Sequence, residues 1–146
     1  MSKYKNKFHI FEGIEFKSNL EKRAYQIYTE AGFSPQYEPV KYELMASHRL
    51  SDYTLFYKPH KMTLQCSSKV LRSISYTPDF IFTYKGIKII VDTKGKPNET
   101  YPLKLKLFLA QLDKDENTGP VVFFEPHSIR QIKQSVEIIK NLTYHK

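Results

Sequence analysis

Two short apolar runs joined by two residues constrain this chain more than any other feature. Residues 80–84 read Phe-Ile-Phe-Thr-Tyr and residues 87–91 read Ile-Lys-Ile-Ile-Val, with Lys85-Gly86 between them. Strand-forming residues on both sides of a two-residue connection predict a β-hairpin. With so tight a turn, the register places Asp79 opposite Asp92. A type I′ turn requires positive φ at both positions, which Lys85 disfavours, so the sequence leaves a longer loop with a shifted register open.

The two aspartates at the open end of this hairpin predict a cation site. Side chains that face each other across a ladder have Cβ atoms about 4.5–5.5 Å apart, and like charges there destabilise a sheet. Mg²⁺ prefers oxygen ligands and is commonly held by one or two carboxylates and a substrate phosphate. We therefore expect Asp79 and Asp92 to share a divalent cation. Lys94 is expected on the same face, because it lies two residues beyond Asp92.

The opposite face of the hairpin is expected to pack in the core. It carries aromatic and aliphatic side chains, namely Phe80, Phe82, Tyr84, Ile87, Ile89 and Val91. One side of the hairpin would therefore pack, and one end of the other side would carry the chemistry.

Composition indicates one basic globular domain of 146 residues. The net charge of +8 predicts a polyanionic partner, most commonly nucleic acid, although a generic basic protein is the alternative. No apolar run is long enough for a membrane span, and residues 1–12 lack the apolar segment of a secretory signal. The single Cys66 excludes an intramolecular disulfide and fits a reducing cytoplasm. His48, His60 and His127 show no metal-ligand spacing, so we expect no histidine-zinc chemistry.

Periodic patterns outside the hairpin predict an α/β domain. Residues 1–12 form a basic lead-in, and a helix begins near Ser18, where Ser18 and Glu21 fit a capping box. Gly32 is a plausible end of this helix. Residues 36–46 alternate in part and predict a strand.

The remaining segments complete the expected order, which is α-β-(β-β)-β-β-α-β-α. Residues 47–70 contain two more strand-like runs and are interpreted as an inserted hairpin of open role. A helix is predicted over about Tyr101 to Leu112, then a central apolar strand over 121–124, then a helix that opens at His127-Ser128. In the first of these helices the expected inward residues are Leu103, Leu107 and Ala110. The order predicts a mixed β-sheet flanked by helices.

Three sequence blocks resemble the PD-(D/E)xK nuclease superfamily, and they are closest to phage endonuclease I-type Holliday-junction resolvases. Residues 16–21 read FKSNLE and resemble the F-[RK]-S-x-L-E segment of those enzymes. Residues 76–80 read YTPDF, like their Y-T-P-D-F, and residues 91–95 read VDTKG, like their V-E-T-K-G. Small phage endonucleases of unknown specificity share these blocks. The resemblance covers roughly residues 13–110.

The resemblance implies a restriction-endonuclease-like core with four catalytic residues. It assigns Glu21 as the helix-borne acid, Asp79 and Asp92 as metal ligands, and Lys94 as the catalytic lysine. The Thr93 carbonyl would add a ligand while its side chain points to the core side, and Glu21 would bind directly or through water. Asp92 stands where the resolvases have Glu, which moves the metal by about one methylene. Capping alone is a competing explanation of Glu21.

The resulting hypothesis is a Mg²⁺-dependent endodeoxyribonuclease, with Mn²⁺ as a substitute, that acts on branched DNA such as Holliday junctions. Lys17, Lys96, Lys104 and Lys106 are expected to contact phosphates, although an ordinary solvated surface would also explain them. Symmetric junction cleavage would need a homodimer, located in the host cytoplasm if the chain is phage-encoded. The alternatives are a less selective phage DNA nuclease and a catalytically silent DNA-binding module.

Overall fold

The computed structural model of the chain describes residues 9–51, 53–58, 62–65, 70–116 and 119–143. Within these residues it has three helices, α1 (Asn19–Glu30), α2 (Tyr101–Lys114) and α3 (Ile129–Lys140). Its strands are β1 (Ile10–Phe11), β2 (Ile14–Glu15), β3 (Gln36–Tyr37), β4 (Tyr42–Met45), β5 (His48–Arg49), β6 (Phe56–Lys58), β7 (Thr63–Gln65), β8 (Val70–Leu71), β9 (Ile74–Tyr76), β10 (Phe80–Tyr84), β11 (Ile87–Val91) and β12 (Val121–Phe124).

The central sheet is mixed and has four strands in the order β12-β11-β10-β3. Strand β10 pairs antiparallel with β11 and β3, whereas β12 pairs parallel with β11. The expected mixed sheet flanked by helices is therefore confirmed. The prediction that β12 is central is wrong, because β12 lies at the edge of the described sheet. Its residues are all apolar because Val122 and Phe124 pack on one face of the sheet and Val121 and Phe123 on the other.

The β10–β11 hairpin has the register that its short turn predicts. Phe80 pairs with Val91 and Tyr84 pairs with Ile87. Lys85 has a φ of 52° and Gly86 a φ of 79°. Positive φ at both positions is the signature of a two-residue I′ turn, so Lys85 accepts the left-handed conformation that its residue type disfavours.

Both faces of this hairpin are covered. Helices α1 and α3 pack on the face of Phe80, Phe82 and Ile89, as expected. The expectation that only one face packs is wrong, because Ile90 on the other face lies in a smaller cluster with Phe108 of α2. The hairpin is therefore the middle layer of an α/β/α arrangement.

Helix α1 begins and ends where the sequence predicts. The Ser18 hydroxyl caps it by accepting a 3.1 Å hydrogen bond from the Glu21 backbone N–H, and Gly32 follows it with a φ of 92°. A buried chain of hydrogen bonds fixes α1 against α3. Ser135 donates to the Ile132 carbonyl at 2.6 Å, so the Tyr28 hydroxyl is the donor in its 2.7 Å bond with Ser135.

Helix α2 presents a different face from the expected one. Tyr101 and Phe108 are its buried residues, whereas Leu103, Leu107 and Ala110 are exposed. The prediction is wrong because apolar side chains occur on most sides of this helix, so its sequence does not select one inward stripe.

The described strands between residues 42 and 76, here called the ribbon, form nested antiparallel pairs rather than a strand followed by a separate hairpin. Strands β4 and β9, β5 and β8, and β6 and β7 pair antiparallel in nested order. The expected strand over 36–46 is thus divided between β3 of the central sheet and β4 of this ribbon. The sequence predicts a turn over residues 58–61 between the inserted strands; Lys58 belongs to β6, and residues 59–61 lie outside the described residues.

Part of the N-terminal lead-in is structured. Residues 1–8 lie outside the described residues, whereas β1 and β2 pair as a short hairpin that packs through Phe11 and Ile14 on the core. No helix in the described ranges combines the length and apolarity required to cross a membrane.

Candidate active site

Asp79 and Asp92 lie directly outside the last pair of the β10–β11 ladder and are both buried, with 6% and 1% of their surfaces exposed. Backbone bonds hold both positions. The Asp79 carbonyl accepts from the Glu38 N–H at 2.7 Å, and the Asp92 N–H donates to the Phe124 carbonyl at 3.0 Å. The chain next to β3 and the end of β12 thus hold the backbones of both aspartates in place.

Asp79 is held by Thr93. Its Oδ2 accepts hydrogen bonds from the Thr93 N–H at 2.8 Å and from the Thr93 hydroxyl at 2.7 Å. The Thr93 side chain therefore faces the acid rather than the core side, contrary to the expectation, because the regular strand alternation ends with β11.

Asp92 is held by a tyrosine and a lysine. Its Oδ2 accepts a short hydrogen bond from the Tyr76 hydroxyl. The Lys94 ammonium lies 3.3 Å from the same oxygen, with about a quarter of the lysine side chain exposed. The structure therefore brings Lys94 beside the aspartate pair, on its open side.

The surroundings of Asp79 and Asp92 disfavour a negative charge on both carboxyl groups at once. Burial, then the charge of Asp92 and then that of Glu21, raise the pKa of Asp79 to about 9. Burial also raises the pKa of Asp92, while hydrogen bonds from Tyr76 and the charge of Lys94 act in the opposite direction. Asp79 and Asp92 thus each act on the pKa of the other. Without a cation the pair is therefore most stable when it retains a proton.

Glu21 has a structural role at the same end of the sheet. Its Oε2 accepts from the Lys17 N–H and from the Tyr37 hydroxyl, both at 2.9 Å. The first bond completes the cap of α1, with Lys17 as the main-chain donor. Glu21 is nevertheless buried and its charge acts on Asp79, so capping and proximity to the site coexist.

The acidic side chains at this end of the sheet are possible ligands of a divalent cation. No group of three or more His, Cys, Asp or Glu side chains is arranged to hold a metal ion in the described part of the chain. Glu21 is therefore not gathered into one coordination group with Asp79 and Asp92. Two facing carboxylates whose charges repel fit a hard cation such as Mg²⁺, which commonly takes only one or two protein carboxylates.

A cleft of about 440 Å³ opens beside Lys94. Lys17 and Lys104 also line it, together with the polar residues Ser75, Thr77, Asn98 and Thr100. Of the four lysines predicted to contact phosphates, Lys17 and Lys104 are thus brought to the site. Lys96 and Lys106 are exposed and lie outside this lining.

The charge of Lys17 at the cleft is paired with an acid. Its ammonium forms a 2.8 Å ion pair with Glu38, and this hydrogen bond raises the pKa of Lys17. An incoming phosphate would therefore compete with Glu38 for Lys17.

Four residues near the site were missed by sequence reasoning, namely Tyr76, Tyr101, Glu125 and His127. The Tyr101 ring centroid lies 4.4 Å from the Lys94 ammonium, and the Tyr101 hydroxyl donates to Glu125 at 2.7 Å. Glu125 also contacts His127 Nε2 at 2.7 Å. A signal existed, because polar residues directly after an apolar strand often lie at the functional edge of an α/β sheet.

A larger hollow of about 550 Å³ lies between the C-terminal part of α2 and β12. Asp113 and Asp115 at its rim are exposed. Among the described residues its lining contains no lysine, whereas Lys94 connects the cleft to the buried acid pair, so the cleft is the stronger candidate for chemistry.

Comparison with known proteins identifies a family but no activity. Over residues 1–144 the chain matches the family of proteins of unknown function DUF1064, and it belongs to that family. No curated protein and no solved structure gives a match.

Proposed function

We propose that this member of a family of unknown function is a Mg²⁺-dependent endodeoxyribonuclease that hydrolyses phosphodiester bonds, with branched DNA as its preferred substrate. One observation carries the proposal. Two buried aspartates lie beside Lys94, and Lys94 lines a cleft together with two further lysines. Buried like charges are costly, so their position next to a lysine that lines a cleft is typical of a functional site.

The order of elements supports the resemblance to the PD-(D/E)xK superfamily. Glu21 lies on α1, Asp79 precedes β10, and Asp92 and Lys94 follow β11, after which come α2 and the parallel strand β12. The proposal therefore includes a restriction-endonuclease-like core.

In the proposed site, Asp79, Asp92 and the Thr93 carbonyl would hold Mg²⁺ or Mn²⁺, with Glu21 acting through water. When bound, the cation would supply Lewis-acid stabilisation of the charge that develops on the phosphoryl group. Lys94 faces the cleft next to Asp92 and would orient the attacking water. The water oxygen would bond to phosphorus as one P–O ester bond breaks, the water would release a proton to solvent, and the departing sugar oxygen would take up a proton and leave as a hydroxyl group. Thr93 and Tyr76 keep the carboxylates in place through their hydrogen bonds.

Basic surface on two sides of the site supports DNA as the substrate. Lys17 and Lys104 line the cleft. The ribbon begins at the cleft, because Ser75 and Tyr76 at the end of β9 belong to its lining. The sequence of residues 42–76 contains five Lys and Arg and two acids, and of these basic residues the structure describes the exposed side chains of Arg49 and Arg72. Cleft and ribbon together would offer separate positions for two duplex arms, which is the basis for preferring a branched substrate.

The proposal is tested by incubating the purified chain with fluorescent four-way junction, duplex and single-stranded DNA, each with Mg²⁺, Mn²⁺ or EDTA. We expect cleavage of the junction with either metal and none in EDTA. Asp79→Asn and Lys94→Ala should abolish it. Paired cuts at symmetric positions, together with a dimer mass in sedimentation, would support the homodimer that symmetric cleavage requires.

Other outcomes select other functions. Equal cleavage of all three DNAs would indicate a less selective nuclease. DNA binding without cleavage under any metal would indicate a catalytically silent binding module. Full activity of Asp79→Asn or Lys94→Ala would contradict the assignment of the site.

A further inference from the structure

Tyr101 lies under the proposed catalytic lysine although no sequence motif includes it. It is the first residue of α2, it is buried, and the Lys94 ammonium lies 4.4 Å from the centroid of its ring. The same ammonium lies 3.3 Å from Asp92 Oδ2. The aromatic face and the carboxylate therefore contact one end of a long, flexible side chain.

The plane of this ring is fixed from the far side. The Tyr101 hydroxyl donates to Glu125 Oε1 at 2.7 Å, and Glu125 Oε2 contacts His127 Nε2 at 2.7 Å. The His127 N–H in turn donates to the Gln131 side chain at 2.6 Å, at the start of α3. The chain of contacts thus runs from Lys94 through Tyr101 and Glu125 to a capped helix end.

Strand pairing places this chain of contacts at the active site. Strand β12 runs parallel to β11, with Phe124 opposite Val91. The Lys94 N–H donates to the Pro126 carbonyl at 3.0 Å. The segment that carries Glu125 is therefore attached to the segment that carries Lys94.

We propose that Tyr101 is a positioning residue for Lys94, and that Glu125, held by His127, sets the orientation of the Tyr101 ring. The inference rests on the proposed function for the role of Lys94. A lysine has four rotatable side-chain bonds and loses considerable entropy when its ammonium is held in one place. A cation–π contact in a partly desolvated site opposes that loss and keeps the ammonium facing the cleft.

The proposal predicts that the ring matters more than the hydroxyl. Tyr101→Leu should lower kcat for DNA cleavage about tenfold while KM changes little, because the contact orients Lys94 and does not bind DNA. Tyr101→Phe keeps the ring, so its kcat should stay within about threefold of wild type. Glu125→Gln keeps an acceptor for the hydroxyl and should behave like Tyr101→Phe.

A matched control separates positioning from general packing. Phe123 belongs to the same hydrophobic cluster and lines the larger hollow rather than the cleft, so Phe123→Leu should lower the melting temperature without lowering kcat. An equal loss of kcat in Phe123→Leu and Tyr101→Leu would overturn the proposal. So would a loss in Tyr101→Phe as large as that in Tyr101→Leu, because the hydroxyl would then be the active group.

A measurement without catalysis distinguishes this inference from the proposed function. In NMR spectra the Lys94 ε-methylene protons, assigned through Lys94→Ala, should be shifted upfield by the ring current of Tyr101. The shift should persist in Tyr101→Phe and vanish in Tyr101→Leu. No shift in the wild type overturns the ring contact itself. A correct shift in a wild-type protein that cuts no DNA overturns the proposed function, and with it any catalytic meaning of the contact.

Discussion

The β10–β11 hairpin and the ribbon are both built from antiparallel strands, but a charged side chain costs more folding free energy in the hairpin than in the ribbon. The hairpin is covered on both faces and ends in two buried aspartates. Most ribbon residues whose burial the structure describes are exposed, and Tyr53 is 97% exposed. Exposed charges of the ribbon such as Glu43 and Arg72 remain hydrated and cost little, whereas the aspartates lose hydration and repel each other. A buried charge raises the free-energy cost of folding, so its presence points to a functional site. A hydrated surface charge has no such cost and supports at most a binding surface.

The largest expected difference between the two regions is in catalysis. Asp79→Asn should lower the rate of DNA cleavage by about 10³-fold, because the amide cannot supply a negative charge to the metal and the reacting phosphate. Glu43→Gln makes the same chemical change on exposed β4 of the ribbon and should leave the rate unchanged. Single-turnover assays on the labelled junction measure both rates. Equal losses of cleavage rate in the two variants would show that the buried aspartate has no special role in catalysis.

A smaller difference of opposite sign is expected in stability. In EDTA at neutral pH, Asp79→Asn should raise the free energy of unfolding by about 1–2 kcal/mol, because the wild type must take up a proton at Asp79 on folding and the amide need not, while the amide oxygen can still accept from Thr93. Glu43→Gln should change it by less than about 0.5 kcal/mol. Urea denaturation gives both values. Destabilisation by Asp79→Asn would show that hydrogen bonding at this position outweighs repulsion.

The stability advantage of Asp79→Asn over the wild type should grow as the pH rises. The pKa of Asp79 rises from 3.8 to about 9 on folding, so the native state holds a proton that the unfolded chain releases between these values. Stability from this group is complete below pH 3.8 and is lost as the pH rises through about 9. In EDTA the wild type should therefore lose more stability than Asp79→Asn between about pH 5 and pH 9, and Mg²⁺ should reduce the loss. Parallel curves for the two proteins would contradict the pKa shift.

The smallest expected effect concerns the charge of the ribbon. Lys41, just before the ribbon, and Arg72 within it are exposed. The double variant Lys41→Gln/Arg72→Gln should weaken DNA binding severalfold in EDTA, and the slope of log affinity against log salt should become shallower by up to about 0.9 for each phosphate that is no longer neutralised. Fluorescence anisotropy with labelled duplex DNA over a series of salt concentrations measures both changes.

A matched control removes the same number of charges elsewhere. Arg130→Gln/Lys133→Gln lies on exposed α3, across the sheet from the ribbon. Equal changes in both double variants would show that only total charge matters. A smaller dimer fraction with an unchanged salt slope would identify the ribbon as an interface between copies.

The part of the site that depends on one hairpin could be predicted from the sequence. The register of Phe80 with Val91, and hence the meeting of Asp79 and Asp92, follows from a turn of two residues. Local rules suffice there, because the two acids lie in one short segment and the connecting strands leave little freedom.

The contacts of Tyr101 and Glu125 could not be predicted in the same way. They depend on β12 pairing with β11, and the sequence of the intervening helix α2 does not determine its orientation. Leu103 and Leu107 of this helix are exposed although the sequence predicts them inside, because several faces of α2 are apolar enough to pack. Tertiary packing selects the face with Tyr101 and Phe108, and this choice brings Tyr101 under Lys94.

The Lys85-Gly86 turn makes the length of the hairpin a constraint on the site. The turn is exposed and is separated from the aspartates by five residues along each strand, a distance of about 20 Å. Surface turns usually tolerate insertions. Here one added residue that changed the register would move one aspartate to the opposite face of the sheet. We therefore expect relatives that keep both aspartates to vary in the residue types of this turn while keeping the number of residues between the two acids.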